Sequence, residues 1–296
     1  MSEPVSMLRI ISIILPVFAI VFTGWSYGRR QPTADMAFLN QMNMDIFKPA
    51  LVFAQLANGT FDVARYQGLA AGVLLMIAGS GLLGWWLARL VGSPAKVFVP
   101  AMMFNNCGNL GLPLIVLTFG EKALAPAVVM LLITSLTQFS FGGWLLDHTA
   151  RWWNVWRIPV VLSTIVGIAF SLTHEALWHP LESAIQILGD ASIPIMLLTL
   201  GVRISRSRLT MVRIGVIGSL ARPVIGLVLT WAIVNLLGLH GEQRALLLLY
   251  GALPPAVVNY VFAERYNQGP DEVAAIVIIG NVAALLIVPM VLILVL

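Results

Sequence analysis

Apolar runs long enough to cross a membrane follow one another along the chain, separated by short charged or Pro/Gly borders. A helix needs about 20 apolar residues to cross a hydrocarbon core about 30 Å thick. The runs are continuous rather than alternating, which favours helices over barrel strands. Ten helical segments are predicted, over 10–28, 44–59, 66–90, 97–120, 123–147, 158–173, 183–203, 211–239, 245–265 and 273–296. The second and sixth are the shortest.

The fourth run carries an interruption. "NNCGNLGLPL", residues 105–114, places three asparagines, two glycines and a proline at membrane depth. The ninth run has a similar break in "PPAVVNYVF", residues 254–262. Gly108, Gly111 and Pro113 remove reasons to stay helical, and Pro113 is a natural place for a second half-helix to restart. Pro254 and Pro255 do the same in the ninth run. Irregular backbone at this depth is tolerated only where it is buried in protein or lines a cavity.

The breaks match a wider symmetry. Asp45 precedes Pro49 by four residues in "DIFKPALVFAQL", and Asp190 precedes Pro194 by four in "DASIPIMLLTLG". Ten segments divide as five plus five: a first repeat over 1–147, a connection over 148–157 and a second repeat over 158–296. An odd number per half inverts one half relative to the other. The predicted fold is an all-α polytopic membrane protein of two inverted five-helix repeats. Interrupted helices in matching positions point to a secondary transporter with a site at the midplane.

Charge orients the segments. With alternating sides, one side holds four basic residues, Arg9, Arg65, Lys122 and Arg244. The other holds twelve: Arg29, Arg30, Lys48, Arg89, Lys96, Arg151, Arg157, Arg203, Arg206, Arg208, Arg213 and Arg265. The basic side is expected to be cytoplasmic, so both termini face outside. Arg222 lies inside the eighth segment and is expected to snorkel to lipid phosphates. Charges follow the first run rather than preceding it, opposite to a cleaved signal peptide.

Composition agrees. The chain is 59% hydrophobic and 10% charged, against about 25% charged in soluble domains. Its net charge of +4 fits basic loops on one side better than nucleic-acid binding. One cysteine, Cys107, leaves no disulfide and no cysteine metal site. The four histidines lie near segment ends or in loops, and no H-E-x-x-H, C-x-x-C, G-x-S-x-G or Walker pattern is present. An enzyme is therefore not expected, and neither is a resident metal or cofactor.

The candidate chemistry lies at the two breaks. Helix starts expose free N–H groups and a positive dipole end, so two converging starts make an anion site without a buried lysine. Asn105, Asn106, Asn109 and Asn259 add neutral donors and acceptors. No ionisable side chain is expected beside either break. Asp190, Ser135, Thr137, Gln138 and Asn281 are candidates for coupling to an ion, with Na+ or H+ as the ion.

"NNCGNLGLPLIVLTFG", "KPALVFAQLANG" and "ALPPAVVNYVFAERYN" resemble the auxin efflux carrier family, whose bacterial members are often described as malonate or dicarboxylate transporters. The resemblance spans nearly the whole chain. It implies ten helices in two inverted repeats, a fold similar to bile acid sodium symporters, and helices 4 and 9 that cross at prolines beside a carboxylate site. It assigns the crossover to Pro113 and to Pro254 or Pro255, with Asn109 and Asn259 as polar contacts. The substrate-binding set is then Asn105, Asn106, Asn109, Gly111, Pro113, Pro254, Pro255 and Asn259. The long cytoplasmic loop of plant members is absent.

These readings lead to a carrier of small organic anions in a bacterial-type cytoplasmic membrane. Its partners are the substrate and the lipid bilayer, with no nucleic acid, and a homodimer is one assembly open to it. A sodium-coupled symporter is the alternative, ahead of a passive channel, a receptor or an intramembrane enzyme.

Overall fold

The structure is a computed structural model that describes residues 7–33, 35–57, 64–148, 156–173, 177–206 and 210–295. Most of the expected 148–157 connection, including Arg151, lies outside the described residues, as does Arg208. Those described are helical apart from turns, short connections and one isolated antiparallel bridge.

The helices are α1 (Met7–Arg30), α2 (Ala37–Met42), α3 (Lys48–Ala57), α4 (Gln67–Val91), α5 (Ala95–Met103), α6 (Leu112–Phe119), α7 (Leu124–Thr137) and α8 (Gly143–Leu146). They continue with α9 (Pro159–Ser171), α10 (His179–Arg206), α11 (Val212–Leu237), α12 (Gly241–Ala252), α13 (Val257–Arg265) and α14 (Pro270–Val295). Among the described residues, six stretches are long and apolar enough to cross a membrane: Ile11–Arg30, Gln67–Val91, Glu121–Leu146, His179–Arg206, Val212–Leu237 and Pro270–Val295. The expected second segment starts earlier, at Ala37, because α2 runs into α3 through a π turn at Asn43–Phe47. The expected seventh starts at His179 and ends at Arg206.

Sequence explains several ends. Pro159 opens α9, where its missing N–H costs nothing. Gly92 closes α4 with φ 72°, a left-handed cap that favours glycine. Arg89 lies over the Trp85 ring at 3.6 Å, as a cation beside an interfacial aromatic would.

The helices pack in two groups. In one, α1 lies along α10, and α3 lies against α9 and α10. Glycines bring these backbones together: a Cβ on Gly201 would stand 1.9 Å from Val21 O, and one on Gly24 would stand 2.1 Å from Leu198 O. In the other, α4 packs on α5, α7 and α11, and α11 packs on α12 and α14. Cross-group contacts include α1 with α6, α1 with α14 and α3 with α7.

Side-chain bonds tie helix ends together: Lys96 Nζ donates to Leu146 O, Arg206 Nη2 to Gln31 O and Gln243 Nε2 to Arg65 O, each at 2.9 Å.

Arg222 departs from expectation. It is 0% exposed inside α11 and does not reach the lipid surface. Its face of α11 packs toward α12, so the side chain finds a carbonyl within the protein before it could reach a headgroup.

Candidate functional site: the helix crossing and its cavity

Two chain segments cross as extended strands in the interior. α5 ends at Met103, and Phe104 is extended at φ −106°, ψ 112°. α12 ends at Ala252, with Leu253 at φ −62°, ψ 142° and Ala256 at φ −64°, ψ 138°. Leu253 and Pro254 each precede a proline, which pushes them out of the helical region. Asn105 and Pro255 form the antiparallel bridge. Asn106 N donates to Pro254 O at 2.7 Å, and Ala256 N donates to Phe104 O at 2.9 Å.

Asparagine side chains fasten this crossing. Asn105 Nδ2 donates to Tyr250 O at 2.7 Å. Asn106 Nδ2 donates to Asn281 Oδ1 at 2.8 Å, and Asn281 Nδ2 donates to Val277 O at 2.8 Å and Pro255 O at 3.1 Å. Asn259 Nδ2 donates to Phe104 O at 2.9 Å, while its Oδ1 accepts from Gln138 Nε2 at 2.9 Å. Asn105, Asn106, Gln138, Asn259 and Asn281 are all buried. Most of their polar atoms are partnered, which makes such groups stable in the interior, while Asn105 Oδ1 is buried without a partner.

The crossing opens onto a cavity of about 540 Å³. Both helix restarts line it, through Cys107, Gly108 and Asn109 on one side and Ala256, Val257 and Val258 on the other. Asn105, Asn106, Thr134, Ser135 and Gln138 contribute polar atoms. Three π turns, at Asn43–Phe47, Cys107–Gly111 and Gln138–Gly142, each supply lining residues. π turns re-aim side chains and leave backbone groups without their usual partners, which suits a binding wall.

The helix 4 break differs from expectation. The chain leaves the helix at residues 104–106, resumes as a π turn at Cys107 and restarts as an α-helix at Leu112, so Pro113 stands at the α-helical restart but is not the crossing point. Pro113 is buried within the first turn of α6, where its missing N–H is tolerated. Gly111 lines no part of the cavity; a Cβ there would stand 2.6 Å from Leu253 Cδ1, so it admits the other strand. Pro254 and Pro255 sit at the crossing as expected and offer it their carbonyls.

The absence of ionisable groups at the breaks is also overturned. Lys48 is buried and lines the cavity, its Nζ beside Gly108. Asp45, Arg157 and Arg265 also line it and are exposed. Lys48 looked like a residue at the end of a segment, but the preceding π turn carries the helix further and leaves the lysine inside. The lysine inside "DIFKPALVF" was the available signal.

Of the coupling candidates, Ser135 and Gln138 line the cavity, and Asn281 supports the crossing from α14. Asp190 is exposed on α10 and is not part of the cavity lining. Thr137 points its hydroxyl back to Ile133 O at 2.7 Å and is not part of the lining either. Equal spacing from a proline placed Asp45 and Asp190 in corresponding positions but not at one site.

The described residues thus form a helical bundle whose paired helix breaks open onto a cavity lined by apolar and polar side chains together. The family model described as membrane transport protein matches residues 9–149 and 145–292. The chain belongs to this family, that of the auxin efflux carriers. It is 26% identical over 141 residues to auxin efflux carrier component 4 of Arabidopsis thaliana, covering 45% of this chain and 23% of that protein. Auxin efflux carrier component 3a of Oryza sativa is 29% identical over 141 residues, with 45% and 23% covered. An uncharacterized transporter of Methanocaldococcus jannaschii is 20% identical over 268 residues, with 84% and 86% covered. The chain thus spans about a quarter of the plant carriers' length and most of the archaeal protein's.

Proposed function

We propose that the protein carries small organic anions, carboxylates above all, across a cytoplasmic membrane by alternating access around the crossing. One observation carries the reading: two half-helix starts and the buried Lys48 converge on a single cavity of about 540 Å³. Free N–H groups and a positive dipole end at each start favour an anion. Lys48 adds a full charge where the sequence pattern had offered only dipoles. Asn109, half-buried on the wall, supplies a further polar contact.

The ten-helix inverted repeat belongs to the same proposal. Packing relations exchange between the halves. α1 against α10 corresponds to α9 against α3, α4 against α5 to α11 against α12, and α4 against α7 to α11 against α14. Within each packing group, glycines bring backbone against backbone. Between the groups, Gly108 meets the flexible end of Lys48. A sliding or rocking movement of the crossing group past the α1, α3, α9 and α10 group would therefore be cheap. The basic side faces the cytoplasm and both termini lie outside.

The sodium-coupled alternative requires free carbonyls at the breaks. Tyr250 O, Phe104 O, Pro254 O and Pro255 O already accept hydrogen bonds, which weighs against a cation there. Uptake of a panel of mono- and dicarboxylates into proteoliposomes, with sodium replaced by potassium, tests both. Saturable carboxylate uptake without sodium supports the proposal. Transport of neutral or cationic solutes alone removes it.

A further inference from the structure

Arg222 stands behind the crossing with hydrogen-bonding capacity that its surroundings leave unused. Nη1 donates to Gly251 O at 3.2 Å. Nε and Nη2 are buried without partners. Among the described residues no carboxylate bonds to it. An arginine stays protonated in proteins, and an isolated buried charge is costly. Packing alone gives no reason to keep it.

The backbone is cleared for this contact. A Cβ on Gly226 would stand 2.0 Å from Gly251 O and 2.5 Å from Arg222 Nη1. One on Gly251 would stand 2.7 Å from Gly226 O. α11 and α12 therefore meet on two glycines, and the guanidinium reaches the carbonyl end of α12 through that gap.

That carbonyl end is half of the crossing. The last carbonyls of α12 lie beyond its regular ladder, with Tyr250 O taking Leu253 N at 3.3 Å, and the dipole places roughly half a negative charge there. Gly251 O takes Arg222, and Tyr250 O takes Asn105 Nδ2. Asn105 is the residue bridged to Pro255. The Tyr250 hydroxyl shares a 2.7 Å hydrogen bond with Thr134 Oγ1 on the cavity wall. A full positive charge against half a negative one leaves net positive charge at the back of the site, in a low-dielectric interior. The corresponding carbonyl end, at Phe104 O, is met by neutral donors only, Ala256 N and Asn259 Nδ2.

We propose that Arg222 is a specificity-determining residue for the anion in the crossing cavity. It holds the α12 end and Asn105 in register, and it supplies a fixed positive charge that favours dianions over monoanions without touching the ligand. The inference rests on the reading of the cavity as a carboxylate site. It predicts a division of labour: Lys48 faces the cavity and contacts the anion, while Arg222 acts on it through Gly251, Tyr250 and Asn105.

The test uses the full chain in proteoliposomes, with succinate and butyrate as probes of matched length and different charge. The half-saturating concentration of each is measured for the wild type, Arg222→Gln and Arg222→Lys. Two charges about 10 Å apart at an effective dielectric near 20 interact enough to change affinity about tenfold. Arg222→Gln should weaken succinate about tenfold more than butyrate. Arg222→Lys should keep the wild-type ratio. A purely structural arginine would change both probes alike in both variants, and that result overturns the proposal. If Arg222→Gln does not fold, Arg222→Met, which removes the charge without burying an amide, decides: a ratio shifted about tenfold supports the fixed charge, and a retained ratio refutes it. If the wild type moves neither probe nor any other carboxylate, the reading of the cavity and this inference fall together. Wild-type flux with an unchanged ratio in Arg222→Gln removes the inference alone.

Discussion

The Lys48 ammonium lies beside Gly108, 3.0 Å from the point where a Cβ on Gly108 would stand. The two residues come from different packing groups, one at the start of α3 and the other in the π turn after the crossing. A fixed cation therefore meets a helix start that is itself electropositive. Two like-signed elements so close together make sense when an anion is to sit between them. Lys48→Met should lower carboxylate affinity at least about tenfold while leaving the melting temperature in detergent equal or higher, because an unpaired buried charge has been removed. Binding isotherms and thermal unfolding on one preparation check both halves.

Gly108→Ala tests the same contact by shape. The added methyl would stand 3.0 Å from Lys48 Nζ and 3.3 Å from Leu131 Cδ1. The lysine is flexible and can withdraw, so stability should fall by no more than about 1 kcal/mol. Affinity for carboxylates should fall severalfold, because the displaced ammonium no longer faces the helix start. Titration of the purified variant with a dicarboxylate gives the answer.

Asn259 joins the crossing to the cavity wall. Asn259→Ala orphans Gln138 Nε2 and removes one of two donors from Phe104 O, which keeps Ala256 N. An orphaned buried group costs about 1–3 kcal/mol. The variant should melt well below wild type, whereas Thr137→Ala, which loses only a bond to its own helix, should stay within about 0.5 kcal/mol. Chemical or thermal denaturation in detergent separates the two.

The α1–α10 contact is backbone on backbone. Gly201→Ala places a methyl 1.9 Å from Val21 O, which a rotamer change cannot relieve, so the helices must separate at a cost of about 3 kcal/mol or more. Gly143→Ala meets nothing nearer than Tyr266 Oη at 3.6 Å and should express normally. Yield and monodispersity on size exclusion provide the comparison.

Much of this was legible in the sequence. Hydropathy located the six long apolar helices, because lipid requires long uninterrupted apolar runs. The break in the ninth run was local: Pro254 and Pro255 dictate it whatever surrounds them. The break in the fourth was not. Phe104 and Asn105 have no backbone requirement to leave a helix, and they become extended because residues 254–256 offer them a strand to pair with. Gly108, Gly111 and Pro113 attracted attention as helix breakers, yet they lie in a π turn and the first turn of α6. Charge placement was the other illegible part. Lys48 was counted among the charges of the cytoplasmic side and Arg222 was expected to snorkel, and both are enclosed. Hydropathy gives depth along a helix axis but not which face packs inward, and π turns rotate that face.

The central claim is that the crossing cavity carries organic anions. Trans-stimulated counterflow of a radiolabelled dicarboxylate into proteoliposomes tests it most directly, with wild type and Asn109→Ala run in parallel. The account predicts saturable, trans-stimulated uptake in the wild type and its loss in Asn109→Ala at unchanged melting temperature. Carboxylate flux in Asn109→Ala equal to wild type, or no carboxylate counterflow by the wild type, would contradict it.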